Sequence, residues 1–191
     1  MKKAFRYIFI GIILVAIIVG YYYYLNHRKG LSVEDTVVEK TEVEKILDKD
    51  FEADYPATPR EVLKNYNRII TAYYNEEYDE EQFLGLATMA RQLMDEELLE
   101  LNPEDAYLAD LRYEIATYKD IPKTIVSSSV SDSNDVVYKV VKGHQCAYAD
   151  TYYFCKEGTD FSRTYEKFVL RKDKQGNWKI LAWKLKEPEE E

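Results

Sequence analysis

The chain of 191 residues has room for one domain plus appendages. Hydrophobic residues make up 46% and charged residues 32%, a balance that excludes a wholly disordered chain. Residues 1–29 hold Lys2, Lys3, Arg6, Arg28 and Lys29 and no acid, so the net charge of −9 leaves −14 on the remainder, which argues against nucleic acid as a partner.

Residues 7–25 read YIFIGIILVAIIVGYYYYL without a charge. As a helix they span about 28 Å, close to the ~30 Å hydrocarbon core of a bilayer. Phe5, Tyr7 and Phe9 at one end and Tyr21 to Tyr24 at the other suit the two headgroup belts. The apolar run is too long for a secretory signal, and no small-residue cleavage site follows it. The expectation is an uncleaved single-pass signal-anchor, with a cytoplasmic N-terminus and an extracytoplasmic C-terminal domain. Residues 30–54 follow as a charged stalk. They read either as a spacer or, around Val43, Ile46 and Leu47, as a short helix packed on the domain or on a second copy.

Three helix starts are written into the next segment. Thr58-Pro59-Arg60-Glu61 supplies a cap, a proline for the first helical position and the return partner of a capping box. Val62, Leu63, Tyr66, Ile69, Ile70 and Tyr73 then fall on one helical face. Asp79 and Gln82 repeat the device ahead of a stripe from Phe83 through Leu86, Ala90 and Leu93 to Leu98. Asn102-Pro103-Glu104-Asp105 opens a third helix, with Tyr107, Leu108, Leu111, Ile115 and Tyr118 inward.

From Lys123 the period changes to two. Strands are expected over 124–130, 136–142, 164–172 and 178–186, the last two joined by the Gly176-bearing loop 173–177. In the third, Thr164, Glu166, Phe168 and Leu170 share one face. In the fourth, Trp178, Ile180 and Ala182 lie opposite Leu181, Trp183 and Leu185, and Trp183 is expected to be buried. Helices first and antiparallel strands after read as α+β, with helices packed on one face of a sheet.

The stretches YPATPREVLKNYNRI (55–69), MDEELLELNP (94–103) and FVLRKDKQGNWKILAWKL (168–185) carry a resemblance. With the N-terminal anchor, the chain resembles a bacterial family of membrane-anchored proteins of unknown function. Its plan resembles the nuclear-transport-factor-2-like superfamily, also called cystatin-like. That resemblance implies three helices across a curved antiparallel sheet that encloses a cone. The organisation is then a cytoplasmic tip and transmembrane anchor over 1–29, a stalk over 30–54, the cone domain over 55–187 and an acidic tail over 188–191. Candidate cone liners are Tyr66, Ile70, Tyr73, Leu111, Phe168 and Trp183.

Cys146 and Cys155 bracket AYADTYYF. A two-residue turn at Asp150-Thr151 places them opposite each other at a non-hydrogen-bonded site, at a separation that a disulfide accepts. The expectation is a Cys146–Cys155 bridge and hence an oxidising compartment; a wider loop with two buried thiols is the alternative.

No constellation for catalysis stands out. His144 is the one histidine beyond residue 29, and its spacing to Cys146 and Cys155 matches no standard zinc pattern. Gly143, Gly158 and Gly176 are isolated turn signals, not a phosphate loop. We therefore nominate no catalytic residue, metal or cofactor. The expected function is a membrane-anchored, extracytoplasmic, non-catalytic module that binds a protein or cell-envelope partner and touches the membrane through residues 7–25. The alternative is a small-ligand binder or weak hydrolase that uses the cone pocket. A filled cone favours the first, and an open pocket with convergent polar groups the second.

Overall fold

The computed structural model describes residues 40–121 and 123–186. Five helices come first: α1 (Glu42–Leu47), α2 (Pro59–Asn75), α3 (Glu80–Gln92), α4 (Glu96–Leu101) and α5 (Glu104–Lys119). Five strands follow: β1 (Lys123–Val130), β2 (Val137–Val141), β3 (His144–Glu157), β4 (Asp160–Lys172) and β5 (Trp178–Lys186). The domain is α+β, with helices and an antiparallel sheet, but the N-terminal transmembrane helix that the sequence led us to expect is not shown. No helix among the described residues is long and apolar enough to cross a membrane, and residues 7–25, where that expectation fell, lie outside them.

The caps act as their chemistry dictates. Thr58 accepts from the Glu61 amide while the Glu61 carboxylate accepts from the Thr58 amide, and Asp79 and Gln82 do the same for α3. Asn102 instead ends α4, and α5 starts at Pro103 without a side-chain cap. Thr41 and Glu44 form a further capping box on α1, whose Val43 and Ile46 are buried. The second half of the expected stalk is thus part of the domain.

The sheet order is β1-β3-β4-β5, with β2 also paired to β3, so β1 and β2 occupy successive stretches of one β3 edge. Val62, Leu63, Ile69 and Tyr73 of α2 and Leu86 of α3 pack on Ala147, Ala149, Phe168, Leu170 and Ile180 of the sheet's inner face. Burial of each large side chain contributes about 1.5–3 kcal/mol. The β5 edge is covered. The Asp95 amide donates to the Ile180 carbonyl and the Ile180 amide to the Leu93 carbonyl, both at 2.8 Å. Buried Asp95 also pairs with Arg171, which donates from Nη1 to Glu97 at 3.0 Å.

Two β-bulges correct the expected strand faces. Phe168 pairs with Trp183 but Leu170 with Ile180, so Leu181 is an extra residue in β5. Trp178, Ile180 and Trp183 therefore share the inner face, which a strict period of two cannot give. Val126 plays the same part in β1.

The disulfide expectation is overturned. Residues 144–157 form one continuous strand, and the turn lies at Gly158 (φ 59°), not at Asp150-Thr151. Cys146 and Cys155 stand nine positions apart on β3, about 30 Å at 3.3 Å per residue, and point to opposite faces. Both are free, buried thiols. Asp-Thr lacks the ready positive φ of a tight hairpin turn, whereas Gly158 supplies it. The inference of an oxidising compartment falls with the bridge.

Candidate ligand-binding site

Beyond the centre of α2, the sheet's inner face changes character. Ala147 and Ala149 give way to Thr151, Tyr153 and Cys155 on β3, and on β4 Leu170 and Phe168 give way to Glu166 and Thr164. This half is not filled. It forms a cavity of about 430 Å³ between the sheet, α2 and α5. Tyr66, Ile70 and Tyr74 line it from α2, and Tyr107, Leu111, Glu114 and Tyr118 from α5. The sheet supplies Ile125, Tyr153, Cys155, Glu166, Trp183 and Leu185.

Specific polar bonds hold the walls. Asn75 Nδ2 donates to the Ile125 carbonyl at 2.7 Å, and the Ile125 amide donates to Asn75 Oδ1 at 3.0 Å, locking the end of α2 to β1. Tyr153 donates to buried Asn67 Oδ1 at 2.8 Å. The Tyr74 hydroxyl donates to Glu114 at 2.5 Å, and its ring lies 4.1 Å from that of Tyr118, which joins α2 to α5 across the cavity. Trp183 stacks on Phe168 at 5.8 Å and meets Tyr66 at 6.0 Å.

The electrostatics are uneven. Burial, with a smaller contribution from the Glu114 charge, raises the Glu166 carboxyl to about 7. Burial also raises the Tyr107 hydroxyl to about 12 and holds Tyr66, Tyr74 and Tyr153 well above the usual phenol range. The tyrosines are neutral donors at any physiological pH. Asp110 and Lys123 complete the charged lining.

Of the liners named from sequence, Tyr66, Ile70, Leu111 and Trp183 border this cavity, whereas Tyr73 and Phe168 are fully buried core residues. Trp183 is 40% exposed, not buried as expected, because the bulge carries it to the cavity's edge. Sequence reasoning missed Tyr74, Tyr107, Tyr153, Glu114 and Glu166. A signal for Glu166 existed: it shares a strand face with Phe168 and Leu170, where an acid has no solvation motive.

Residues 1–183 match the family described as Domain of unknown function (DUF6715). The chain belongs to that family. No curated protein matches the sequence. The DUF6715 match covers the whole helical layer and the sheet as far as Trp183, so every cavity residue but Leu185 lies within it. Among the described residues no group of three or more His, Cys, Asp or Glu side chains is placed to hold a metal ion.

Proposed function

We propose that this DUF6715 domain binds a small amphipathic ligand with a cationic or donor-rich head, in the cavity between α2, α5 and the sheet. The observation that carries the reading is the convergence of aromatic rings with Glu114 and Glu166 in one open space of about 430 Å³. Small-molecule sites of this volume are mostly apolar with a few placed polar groups. Tyr66, Tyr107 and Trp183 offer ring faces on which an ammonium group is held electrostatically. Glu114 and Glu166 supply the counter-charge, and a bound cation favours the ionised Glu166. The open cavity therefore favours the small-ligand alternative over a non-catalytic protein-docking module. A helical layer over an antiparallel sheet with a cavity between them also supports a nuclear-transport-factor-2-like cone as the finer fold reading.

The test is a thermal-shift and tryptophan-fluorescence screen. Trp183 borders the cavity while Trp178 is buried elsewhere, so Trp178→Phe isolates the reporter. Small organic amines and quaternary ammonium compounds are expected to raise the melting temperature and quench Trp183, more strongly at pH 8 than at pH 5. Carboxylate analogues of the same size are expected to do neither. If the carboxylates bind as well as the amines, or if no amine produces either signal, the reading fails.

A further inference from the structure

The outer face of the sheet, opposite the helices, has the reverse charge of the rest of the domain. Register fixes which side chains it presents. Outward positions include Lys139 on β2, Lys156 on β3, Arg163 and Lys167 on β4, and Lys184 and Lys186 on β5. Among the outward strand positions the one acid is Asp150, which Lys186 approaches at 3.4 Å. Arg171 and Lys179 also start from this register, but they are committed to Asp95 and to the Gln92 carbonyl. None of Lys156, Arg163, Lys167 and Lys184 forms an ion pair among the described residues.

Aromatic rings alternate with these cations. Along β4 the outward residues run Phe161, Arg163, Tyr165, Lys167, one every ~6.6 Å. Phe154 and Phe161 stack at 5.2 Å with planes 3° apart, Tyr152 and Tyr165 lie 6.0 Å apart, and Arg163 sits over the Phe154 ring at 5.8 Å. The face is open: Phe161 is 58% and Tyr152 40% exposed. Two hollows run along it. One of about 470 Å³ is formed by Ser127, Tyr152, Phe154, Arg163 and Tyr165. The other, of about 610 Å³, includes Lys139, Tyr148, Asp150, Lys167 and Lys184, with Asp135 at its rim.

We infer that this face binds an acidic polysaccharide, a chain of sugar rings carrying carboxylates. Three features select that occupant. A second copy docked face to face would set Lys167 and Lys184 against their equals, so the occupant must be anionic. Exposed rings beside the cations suit a ligand with flat apolar surfaces, and the C–H face of a sugar ring is one. Asp135 and Asp150, the latter already taking one bond from Lys186, can only accept hydrogen bonds and so suit a ligand that carries donors. Sugar hydroxyls donate, whereas a DNA backbone offers phosphates and no hydroxyl donors. Arg163 and the lysines then take the carboxylates by charge-assisted hydrogen bonds. The helical layer's acidity is screened over about 8 Å at physiological salt, so it does not cancel the local field of the sheet.

The experiment titrates the full chain with a hexameric oligogalacturonate, its carboxyl-reduced neutral counterpart, a dT12 oligonucleotide and poly-glutamate, by calorimetry at two salt concentrations. The oligogalacturonate is expected to bind at least tenfold more tightly than the other three, and less tightly at high salt. Lys167→Glu/Lys184→Glu and, separately, Phe161→Ser/Tyr165→Ser are each expected to weaken it tenfold or more with the melting temperature kept. Glu166→Gln, in the inner cavity, is expected to leave it unchanged. Equal or tighter binding of dT12 or poly-glutamate overturns the inference. So does binding of the neutral counterpart, no binding at all, or affinity that both outer-face variants retain.

Discussion

Glu166→Gln is the sharpest perturbation of the inner cavity. Glu166 is half-buried on β4 and faces Glu114 of α5, Tyr153 of β3 and the tyrosines Tyr66 and Tyr74 of α2. Its carboxyl is held at about 7 in the folded chain, against the ordinary carboxylate range when unfolded. The folded state therefore keeps the proton longer. Stability from this group is full below about pH 4, falls as pH rises towards 7, and is absent above. A displacement of that size is worth at most about 3 kcal/mol, and solvent entering the cavity reduces it to on the order of 1–2 kcal/mol. Glutamine keeps the shape and cannot ionise. The variant should be more stable than the parent at pH 8 by that amount, or roughly 3–6 °C in melting temperature for a chain of this size, and equal to it at pH 4. Calorimetric melts of both chains from pH 4 to 8 give the answer. The same shift at both ends of the range, or a loss of stability at pH 8, refutes the argument.

Other expectations follow from the same packing. In denaturant without reductant, both Cys146 and Cys155 should be alkylated, and mass spectrometry should find no species with the two sulfurs joined. Trp183→Ala should cost about 1–2 kcal/mol, below the 3–5 kcal/mol of a fully buried aromatic, as read from urea unfolding. Ile46→Ala should cost about 2–4 kcal/mol although it lies before Tyr55, because α1 is a core element; an unchanged urea midpoint would make it a spacer after all.

The helical half was legible where the sequence states its own punctuation. Thr58, Pro59, Glu61, Asp79 and Gln82 are local signals, and local chemistry decides a cap whatever lies elsewhere in the fold. The third start was legible in place but not in mechanism, since Asn102 serves the helix before it. The α+β order was legible from the change of period at Lys123. The strand faces were less so, because a bulge inserts one residue without altering composition, and each bulge inverts the alternation beyond it. Cys146 and Cys155 misled for a related reason. Their spacing fits a hairpin, but a 14-residue strand accommodates it equally, and only the position of the turn separates the two. The cavity was half legible. Apolar spacing nominates the faces of α2 and α5, yet it cannot tell a residue that fills the core, such as Tyr73, from one that borders a hollow, such as Tyr66.

The shared edge of β3 has a kinetic consequence. β3, β4 and β5 are consecutive hairpins whose pairings join residues close in sequence, so closing each loop costs little chain entropy. β2 joins β3 through an equally tight turn at Lys142-Gly143, whereas β1 reaches past β2 to pair with the far half of β3. The long hairpin is thus expected to act as template, with the region around α2 and β1, joined through Asn75 and Ile125 across 50 residues, closing last. A mutation in the β3–β4 turn should therefore slow folding, whereas one at Asn75 should chiefly speed unfolding. The cavity lies in that part, so native-state hydrogen exchange is expected to be fastest around it.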